Sequence, residues 1–241
     1  MQKQIGIIGN GFVGNAIANA FRNISCEVLV NDIDPDKSTD TLHNTLLSDY
    51  VFVCLPTPMT DAEGGKCNLS ILENFFNEAS SVDTKAVFII KSTIPVGTTE
   101  RMSKLYPHMK IVHNPEFLTA ANAEQDFLNA DRHVIGGDLE LVSEIETLYE
   151  TAFPNIPVYT MESKESECVK YFANCFLATK VMLFNEMKML CNNLSGVDFE
   201  RILQGVCSDV RIGNSHTLVP GPDGDYGFGG SCFPKDINSL I

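Results

Sequence analysis

Six short, continuous apolar runs in the first 160 residues constrain the fold of this chain most strongly. They read QIGIIG, EVLVND, YVFVCL, AVFIIKS, KIVHN and RHVIGG, and most are separated by segments long enough to hold a helix. Strands that alternate with helices predict βαβ units and a parallel sheet. Runs that are apolar throughout are typical of strands covered on both faces. We therefore predict a doubly wound, mostly parallel α/β sheet over residues 1–160.

The pattern changes near Pro157. From Ser163 to about Asn193 neither proline nor glycine interrupts a segment rich in Leu, Met, Phe, Ala and Lys, which predicts one long helix. DFERILQGVC predicts another helix, and the glycine- and proline-rich stretch from Ile212 to Pro234 predicts an ordered loop. A last helix can begin at Pro234. We therefore expect residues 161–241 to form a second, all-helical domain.

Glycines follow the first predicted strand in G-x-G-x-x-G spacing, at Gly9, Gly11 and Gly14. In this setting the first glycine makes a tight turn, the second admits a pyrophosphate, and the third lets helix and strand pack closely. Asp32 ends the second run, where an acid binds ribose hydroxyls and disfavours the extra phosphate of NADP. We predict a Rossmann-type domain whose NAD site also includes Phe12 and Val13. The alternative is a tight turn without a ligand.

Polar loops follow three further predicted strands, at the edge where open α/β sheets bind ligands. Thr57 and Thr93 are candidate cofactor contacts there, and hydroxyls that only cap their own loops are the alternative. Glu116, in NPEFL, is a candidate base or water-orienting group. A solvated loop carboxylate is the alternative for Glu116.

Lys170 and Asn174 stand in i, i+4 spacing on the long predicted helix, so they share one face of it. Their neighbours are apolar, a setting in which two donors can stabilise a developing oxyanion. A lysine that extends to solvent beside a satisfied core amide is the alternative.

One of the eight cysteines has a distinct setting. Cys232 lies in GFGGSCFPKD, where glycines allow close backbone approach and the predicted helix start favours a reactive thiolate. Lys235 and Asp236 follow as a cation and a potential base. On this chemistry the choice between a nucleophile and one more buried thiol stays open. The other cysteines form no C-x-x-C pair, predict no metal site, and are expected to be buried apolar residues.

The composition excludes several classes of partner. The net charge of −14 repels nucleic-acid phosphates and anionic membrane surfaces. No apolar run approaches the roughly 20 residues of a membrane-spanning helix, and the N-terminus MQKQIGIIGNG lacks signal-peptide architecture. We therefore expect a cytoplasmic protein with a small-molecule substrate and neither a nucleic-acid nor a membrane partner.

Seven motifs follow one another along the chain: G-x-G-x-x-G, PTP, STIPVG, NPEFL, K-x-x-x-N, DVRIG and GFGGSCFPKD, of which the last is highly specific. This series resembles the UDP-glucose/GDP-mannose dehydrogenase family. The resemblance covers essentially the whole chain. It implies the NAD-dependent oxidation of a nucleotide-sugar C6 alcohol to a carboxylate, with UDP-glucose favoured. A cysteine thiohemiacetal and thioester would carry the intermediate stages.

The resemblance also implies a role for each matching residue. Cys232 is the expected nucleophile, Lys170 and Asn174 steady the oxyanion, Asp236 assists water or proton transfer, Glu116 serves in acid/base steps, and Thr93 lies near the nicotinamide. The residues expected to contact the substrate are Glu116, Phe117, Leu118, Lys170, Asn174, Arg211, Phe228, Gly229 and Cys232.

Two departures from the family pattern affect these expectations. Ala120 stands where the family usually has a second glutamate, so we expect the rate or one of the oxidation steps to suffer. The family continues into a second nucleotide-binding α/β domain, whereas this chain ends shortly after Asp236. Without that half, we expect weak affinity for a sugar nucleotide.

Two other functions stay open. A β-hydroxyacid dehydrogenase of the 6-phosphogluconate type resembles a Rossmann domain followed by a long helix with K-x-x-x-N, but it needs no cysteine. A catalytically weak NAD-binding protein would also fit Ala120 and the absent domain. Apolar residues on the long helix exceed what one small domain covers, which predicts a homodimer.

Overall fold

The computed structural model describes residues 3–60, 67–230 and 232–240. Within these ranges the chain forms seven strands and nine helices. The strands are β1 (Gln4–Ile8), β2 (Glu27–Asn31), β3 (Tyr50–Val53), β4 (Val87–Ile90), β5 (Lys110–His113), β6 (His133–Gly136) and β7 (Val158–Met161). The helices are α1 (Phe12–Asn23), α2 (Leu42–Leu46), α3 (Ser70–Ala79), α4 (Thr98–Leu105), α5 (Ala123–Leu128), α6 (Leu139–Ala152), α7 (Ser163–Asn192), α8 (Phe199–Cys207) and α9 (Phe233–Leu240).

The strands form a sheet in the order β2-β1-β3-β4-β5-β6-β7. Neighbours run parallel except β5 and β6, which pair antiparallel at His113 and Gly136. The six apolar runs all form strands, which confirms the predicted mostly parallel, Rossmann-type sheet. The sequence did not predict β7. It is an edge strand whose residues are all at least partly exposed, so it lacks a continuous apolar run.

Alternate side chains of the strands enter two separate apolar clusters, as the period of a strand requires. On β3, Phe52 packs into a cluster with residues of α1, α5 and α6. Its neighbours Val51 and Val53 pack into a second cluster with residues of α2, α3 and α4. Helices therefore cover both faces of the sheet, and the polar loops are left at the carboxyl ends of its strands.

The chain divides into two compact units, Met1–Pro58 with Cys67–Lys170, and Met59–Lys66 with Tyr171–Ile241, as far as these are described. The predicted long helix is confirmed as α7, which continues from the first unit into the second. The second unit has a small apolar cluster of its own, with Phe184, Phe199, Cys207 and Val219. The domain boundary after residue 160 stays a prediction.

The described part of the stretch between α8 and α9 contains neither helix nor strand, as its glycines and prolines predicted. Helix α9 begins at Phe233, one residue before Pro234. The carbonyl of Cys232 accepts a hydrogen bond from the backbone N–H of Asp236 at 2.9 Å, so Cys232 directly precedes the first turn of α9. Within the described ranges, no helix combines the length and apolar character needed to cross a membrane.

Candidate active site

The glycine turn after β1 leaves open space at the start of α1. Gly9 has a φ of +88°, a left-handed conformation that favours glycine. A Cβ on Gly14 would lie 1.9 Å from the carbonyl oxygen of Gly9, so this position requires glycine for close packing. A Cβ on Gly11 would meet no atom within 4 Å. Gly11, with Phe12 and Val13 beginning α1, forms a cradle suited to a pyrophosphate at a helix N-terminus.

Asp32 follows β2 and presents an ionised carboxylate beside this cradle. Its oxygens accept hydrogen bonds from the backbone N–H groups of Asn10 and Asp34. Burial opposes ionisation, but these two bonds and the charge of Lys37 outweigh it and lower the pKa of Asp32. An ionised acid there can accept hydrogen bonds from ribose hydroxyls and repels a 2′-phosphate. The residues present therefore fit NAD.

Thr57 and Thr93 lie on the loops that follow β3 and β4. The hydroxyl of Thr57 donates to the carbonyl of Thr93 at 2.7 Å, and the hydroxyl of Ser92 donates to the carbonyl of Leu55. Both threonines are largely buried. The two loops are thus tied together at the ligand-binding edge of the sheet, and direct contact of either threonine with NAD stays a prediction.

Glu116 and Lys170, both predicted to be catalytic, form a buried ion pair within the first unit. The ammonium of Lys170 lies 3.1 Å from Oε1 of Glu116 and donates to its backbone carbonyl at 2.6 Å. The side chains are 13% and 6% exposed. The other carboxylate oxygen of Glu116 accepts the N–H of Leu118 at 2.7 Å. Glu116 is therefore a fixed carboxylate, and the solvated alternative does not describe it.

Two residues that the sequence did not reveal hold the rest of this loop. The guanidinium of Arg132 lies 4.5 Å from the ring centre of Phe117. Asp126 accepts hydrogen bonds from both the N–H and the hydroxyl of Thr119. This loop borders a cavity of about 230 Å³. The cavity is lined by Lys91, by residues 115–119, and by residues 126, 127 and 129–133. Nothing in the spacing of Arg132 or Asp126 signals these contacts.

Glu167 is a buried side chain with a structural role that the sequence did not predict. Its fully buried carboxylate accepts hydrogen bonds from the N–H of Gly97 and from the N–H and hydroxyl of Thr99, at the start of α4. Burial raises the pKa of Glu167, although these donors oppose the shift. The carboxylate fixes the loop that carries Thr93 to the first turns of α7.

Asn174 and Asp236, also predicted to be catalytic, contact each other within the second unit. The carboxylate of Asp236 accepts hydrogen bonds from the amide of Asn174 and the ammonium of Lys235. Asp236 is 1% exposed, whereas Cys232, just before the same helix, is exposed. This unit therefore presents an accessible thiol one helical turn from a buried carboxylate that accepts hydrogen bonds from two side chains.

The remaining predicted substrate contacts lie on or near the loop before α9. The guanidinium of Arg211 is exposed and pairs with both carboxylate oxygens of Asp209. Phe228 packs edge-on against Phe233, with ring centres 6.4 Å apart, and Gly229 is exposed. Their contacts with a substrate stay predictions. Throughout the described ranges, no group of three or more His, Cys, Asp or Glu side chains could hold a metal ion.

The sheet, the glycine turn and Asp32 define the class: a Rossmann-type, NAD-binding fold. The family is defined by two matches along the sequence. The NAD binding domain of the UDP-glucose/GDP-mannose dehydrogenase family matches residues 36–153, and its central domain matches residues 164–241. The chain therefore belongs to the UDP-glucose/GDP-mannose dehydrogenase family, and NAD is the cofactor of its matching domain.

Individual relatives support this membership. The UDP-glucose 6-dehydrogenase of Pseudomonas aeruginosa is 36% identical over 80% of this chain and 44% of its own length. That of Campylobacter jejuni is 30% identical over 99% of this chain and 67% of its own length. The structure of a UDP-glucose dehydrogenase from Pyrobaculum islandicum superimposes with a TM-score of 0.85 at 28% identity, covering 100% of this chain and 63% of that one. The chain thus spans about half to two thirds of the length of these relatives.

Proposed function

We propose that this chain carries the catalytic groups for NAD-dependent oxidation of a nucleotide-sugar C6 alcohol to the carboxylate. The observation that carries the proposal is the accessible thiol of Cys232, one helical turn before the buried Asp236 that Asn174 and Lys235 hold. Simple hydride transfer from an alcohol needs no thiol, whereas oxidation to the acid level gains from a thioester. UDP-glucose is the favoured substrate because the relatives are UDP-glucose 6-dehydrogenases.

In the first oxidation the C6 hydroxyl loses its proton while C6 loses a hydride. NAD, when bound, supplies the hydride acceptor for both oxidations. We infer that the carboxylate of Glu116 takes the proton, directly or through a water molecule. The ammonium of Lys170 stabilises negative charge that develops on the oxygen. Since the two side chains are already paired, little rearrangement is needed to begin.

In the second stage the sulfur of Cys232 adds to the C6 aldehyde, and the thiol proton moves to the aldehyde oxygen. Loss of a second hydride from C6 and of that proton gives a thioester. Water hydrolyses the thioester to the carboxylate and restores the thiol. We infer that Asp236, which Asn174 holds by a hydrogen bond, orients this water. In total, one alcohol and one water yield one carboxylate, two hydrides and three protons.

The test is to supply the purified chain with NAD and UDP-glucose, then quantify NADH and the sugar acid. We expect two NADH per acid formed. C232S is expected to form no acid. C26S replaces a cysteine that is far in sequence from the proposed catalytic residues, and this control variant should behave as the wild type. Acid production by C232S at the wild-type rate would refute the role of Cys232.

Two further outcomes would refute the proposed reaction itself. One NADH per turnover on a β-hydroxyacid, with none on nucleotide sugars, would establish the hydroxyacid dehydrogenase alternative. NAD binding by calorimetry without turnover on any nucleotide sugar would show a binding protein. Because a catalytic thiol must stay reduced, we further propose that the protein acts in a reducing compartment, the cytoplasm.

We also propose that α7 pairs with a second copy of the chain. One face of α7 carries large apolar side chains at helical spacing, and each of them is more than half exposed. They are Phe172, Phe176, Leu183 and Leu190. Sedimentation should give a dimer for the wild type and a monomer for F176E/L183E. L139E, which alters an exposed leucine of the first unit, is the control. A monomeric wild type at micromolar concentrations would refute the dimer.

A further inference from the structure

Lys91 directly follows β4 and is buried at the ligand-binding edge of the sheet. It is 3% exposed, and its ammonium donates to the side-chain carbonyl of Asn114 at 2.7 Å. Within the described part of the chain, none of the ion pairs includes Lys91. Burying an ammonium against a neutral amide costs free energy, and such lysines are candidates for function.

Asn114 gives Lys91 a rigid partner. Its side-chain carbonyl also accepts the hydroxyl of Tyr149, and its amide donates to the backbone carbonyl of Val134 at 2.6 Å. Tyr149 in turn packs on the ring of His133, with ring centres 4.1 Å apart. Asn114 is the first residue of the NPEFL segment. Lys91 is therefore hydrogen-bonded to the start of the loop that carries Glu116.

Lys91 and Glu116 also share the cavity of about 230 Å³. Burial lowers the pKa of Lys91 to about 8, the nearby Cys54 and Glu116 oppose this shift, and the charge of Lys170 adds to it. Lys170 thus contacts the carboxylate of Glu116 directly, whereas Lys91 lines the same cavity and is hydrogen-bonded to Asn114.

Building on the proposed function, we propose that Lys91 is a positioning residue for the reaction. Its buried ammonium anchors Asn114 at the base of the NPEFL segment and adds a positive charge to the cavity that Glu116 also lines. Lys170 contacts Glu116 directly, so the two lysines have different tasks.

The ionisable side chains around Lys91 leave a pH range in which the titration of Lys91 can be followed by itself. Burial raises the pKa of Cys54 to about 12 and raises that of Tyr149 as well. Burial lowers the pKa values of His113 and His133 to about 3. These four side chains therefore keep one protonation state from about pH 5 to 10 and do not titrate together with Lys91 in that range. Asp126, Asp131 and Arg132 are the other charged residues that line the cavity with Lys91 and Glu116.

The first test needs no turnover. The 241-residue chain, labelled at its lysines, is titrated by NMR between pH 6 and 10, and K91R identifies the Lys91 signal by its loss. In E116Q, which removes a negative charge, the titration midpoint of Lys91 should fall by about half a pH unit or more. E78Q, an exposed control, should leave it unchanged. An unaltered midpoint in E116Q would overturn the coupling.

The second test follows NADH formation. K91M should lower kcat about tenfold or more while the Kd for NAD stays within about twofold, and K85M, at an exposed lysine, should match the wild type. K91R should restore part of kcat and move the basic limb of the pH–rate profile to higher pH, because arginine stays charged. Wild-type kcat and an unaltered pH profile in K91M would overturn the proposal.

The two tests separate the two claims. If K91M does not fold, as thermal denaturation would reveal, the pH profile of K91R and the NMR shift in E116Q decide the role of Lys91. If the wild type turns over no nucleotide sugar, the proposed function fails, and the NMR shift alone then supports or refutes the coupling of Lys91 to Glu116.

Discussion

Replacing Gly11 by alanine is expected to separate nucleotide binding from folding. Gly11 has φ −75° and ψ −167°, which alanine adopts freely, and a Cβ there meets no atom within 4 Å. Alanine is a poorer N-cap than glycine by roughly 0.5 kcal/mol. It also restricts the unfolded chain, which stabilises the fold by about 0.4–1 kcal/mol. These effects oppose each other, so the free energy of unfolding should stay within about 0.5 kcal/mol of the wild type.

The new methyl group instead occupies the open space where the pyrophosphate is expected. We predict that the Kd for NAD rises at least about tenfold, equivalent to about 1.4 kcal/mol. Calorimetric titration and urea denaturation measure affinity and stability on the same protein. Wild-type affinity for NAD in G11A would refute this placement of the cofactor.

Gly14 provides the matched control for this prediction. A Cβ on Gly14 would lie 1.9 Å from a backbone oxygen, which cannot move without shifting the turn. Alanine favours a helix interior by about 1 kcal/mol over glycine, yet overpacking commonly costs about 1–3 kcal/mol and more when backbone must move. G14A should therefore lose stability as well as NAD affinity, and wild-type stability in G14A would contradict the close packing of α1 on β1.

Three further predictions follow from buried groups. E167A should lower the free energy of unfolding by about 2–4 kcal/mol, measured by urea denaturation, because the backbone N–H groups of Gly97, just before α4, and of Thr99, in its first turn, lose their acceptor. The pKa values of His113 and His133 are lowered to about 3, so stability that is complete above about pH 6.5 should be lost as pH falls towards 3. The loss can reach about 2.7 kcal/mol per pH unit for the two residues, and denaturation curves at pH 7.5, 6 and 5 should detect it. Iodoacetamide at pH 8 should label the exposed Cys232 and spare Cys54, whose pKa burial raises to about 12, as peptide mass spectrometry can show.

Most of the sheet could be predicted from the sequence because its central strands are buried on both faces. Every residue of β3 and of β4 is buried, so their apolar runs are continuous and stand out against the helices. The long helix α7 was equally clear, since nothing interrupts it. Strand β7 lies at the edge, where partial exposure permits a mixed composition, and no run of apolar residues marks it.

The candidate site was only partly predictable. The i, i+4 spacing of Lys170 and Asn174 suggested a pair acting together, but each has a carboxylate partner of its own. Lys170 bonds Glu116, 54 residues away, and Asn174 bonds Asp236, 62 residues away. Local periodicity reports on neighbours within a few turns, so it identifies donors and carries no information on the acceptors that distant loops bring to them.

The alternation of β4 contains a sequence signal that predicts the burial of Lys91. Lys91 is the next-to-last residue of the run AVFIIKS. The alternation of β4 places Ile89 in the cluster with α1, α5 and α6 and its neighbours Phe88 and Ile90 in the opposite one. The same alternation directs Lys91 towards the face that holds Tyr149. A lysine that continues the inward register of a fully buried strand has no route to solvent at that position, so it needs an internal acceptor. The sequence could thus have predicted a buried amine at the ligand-binding edge, although only the fold identifies Asn114 as the residue that binds it.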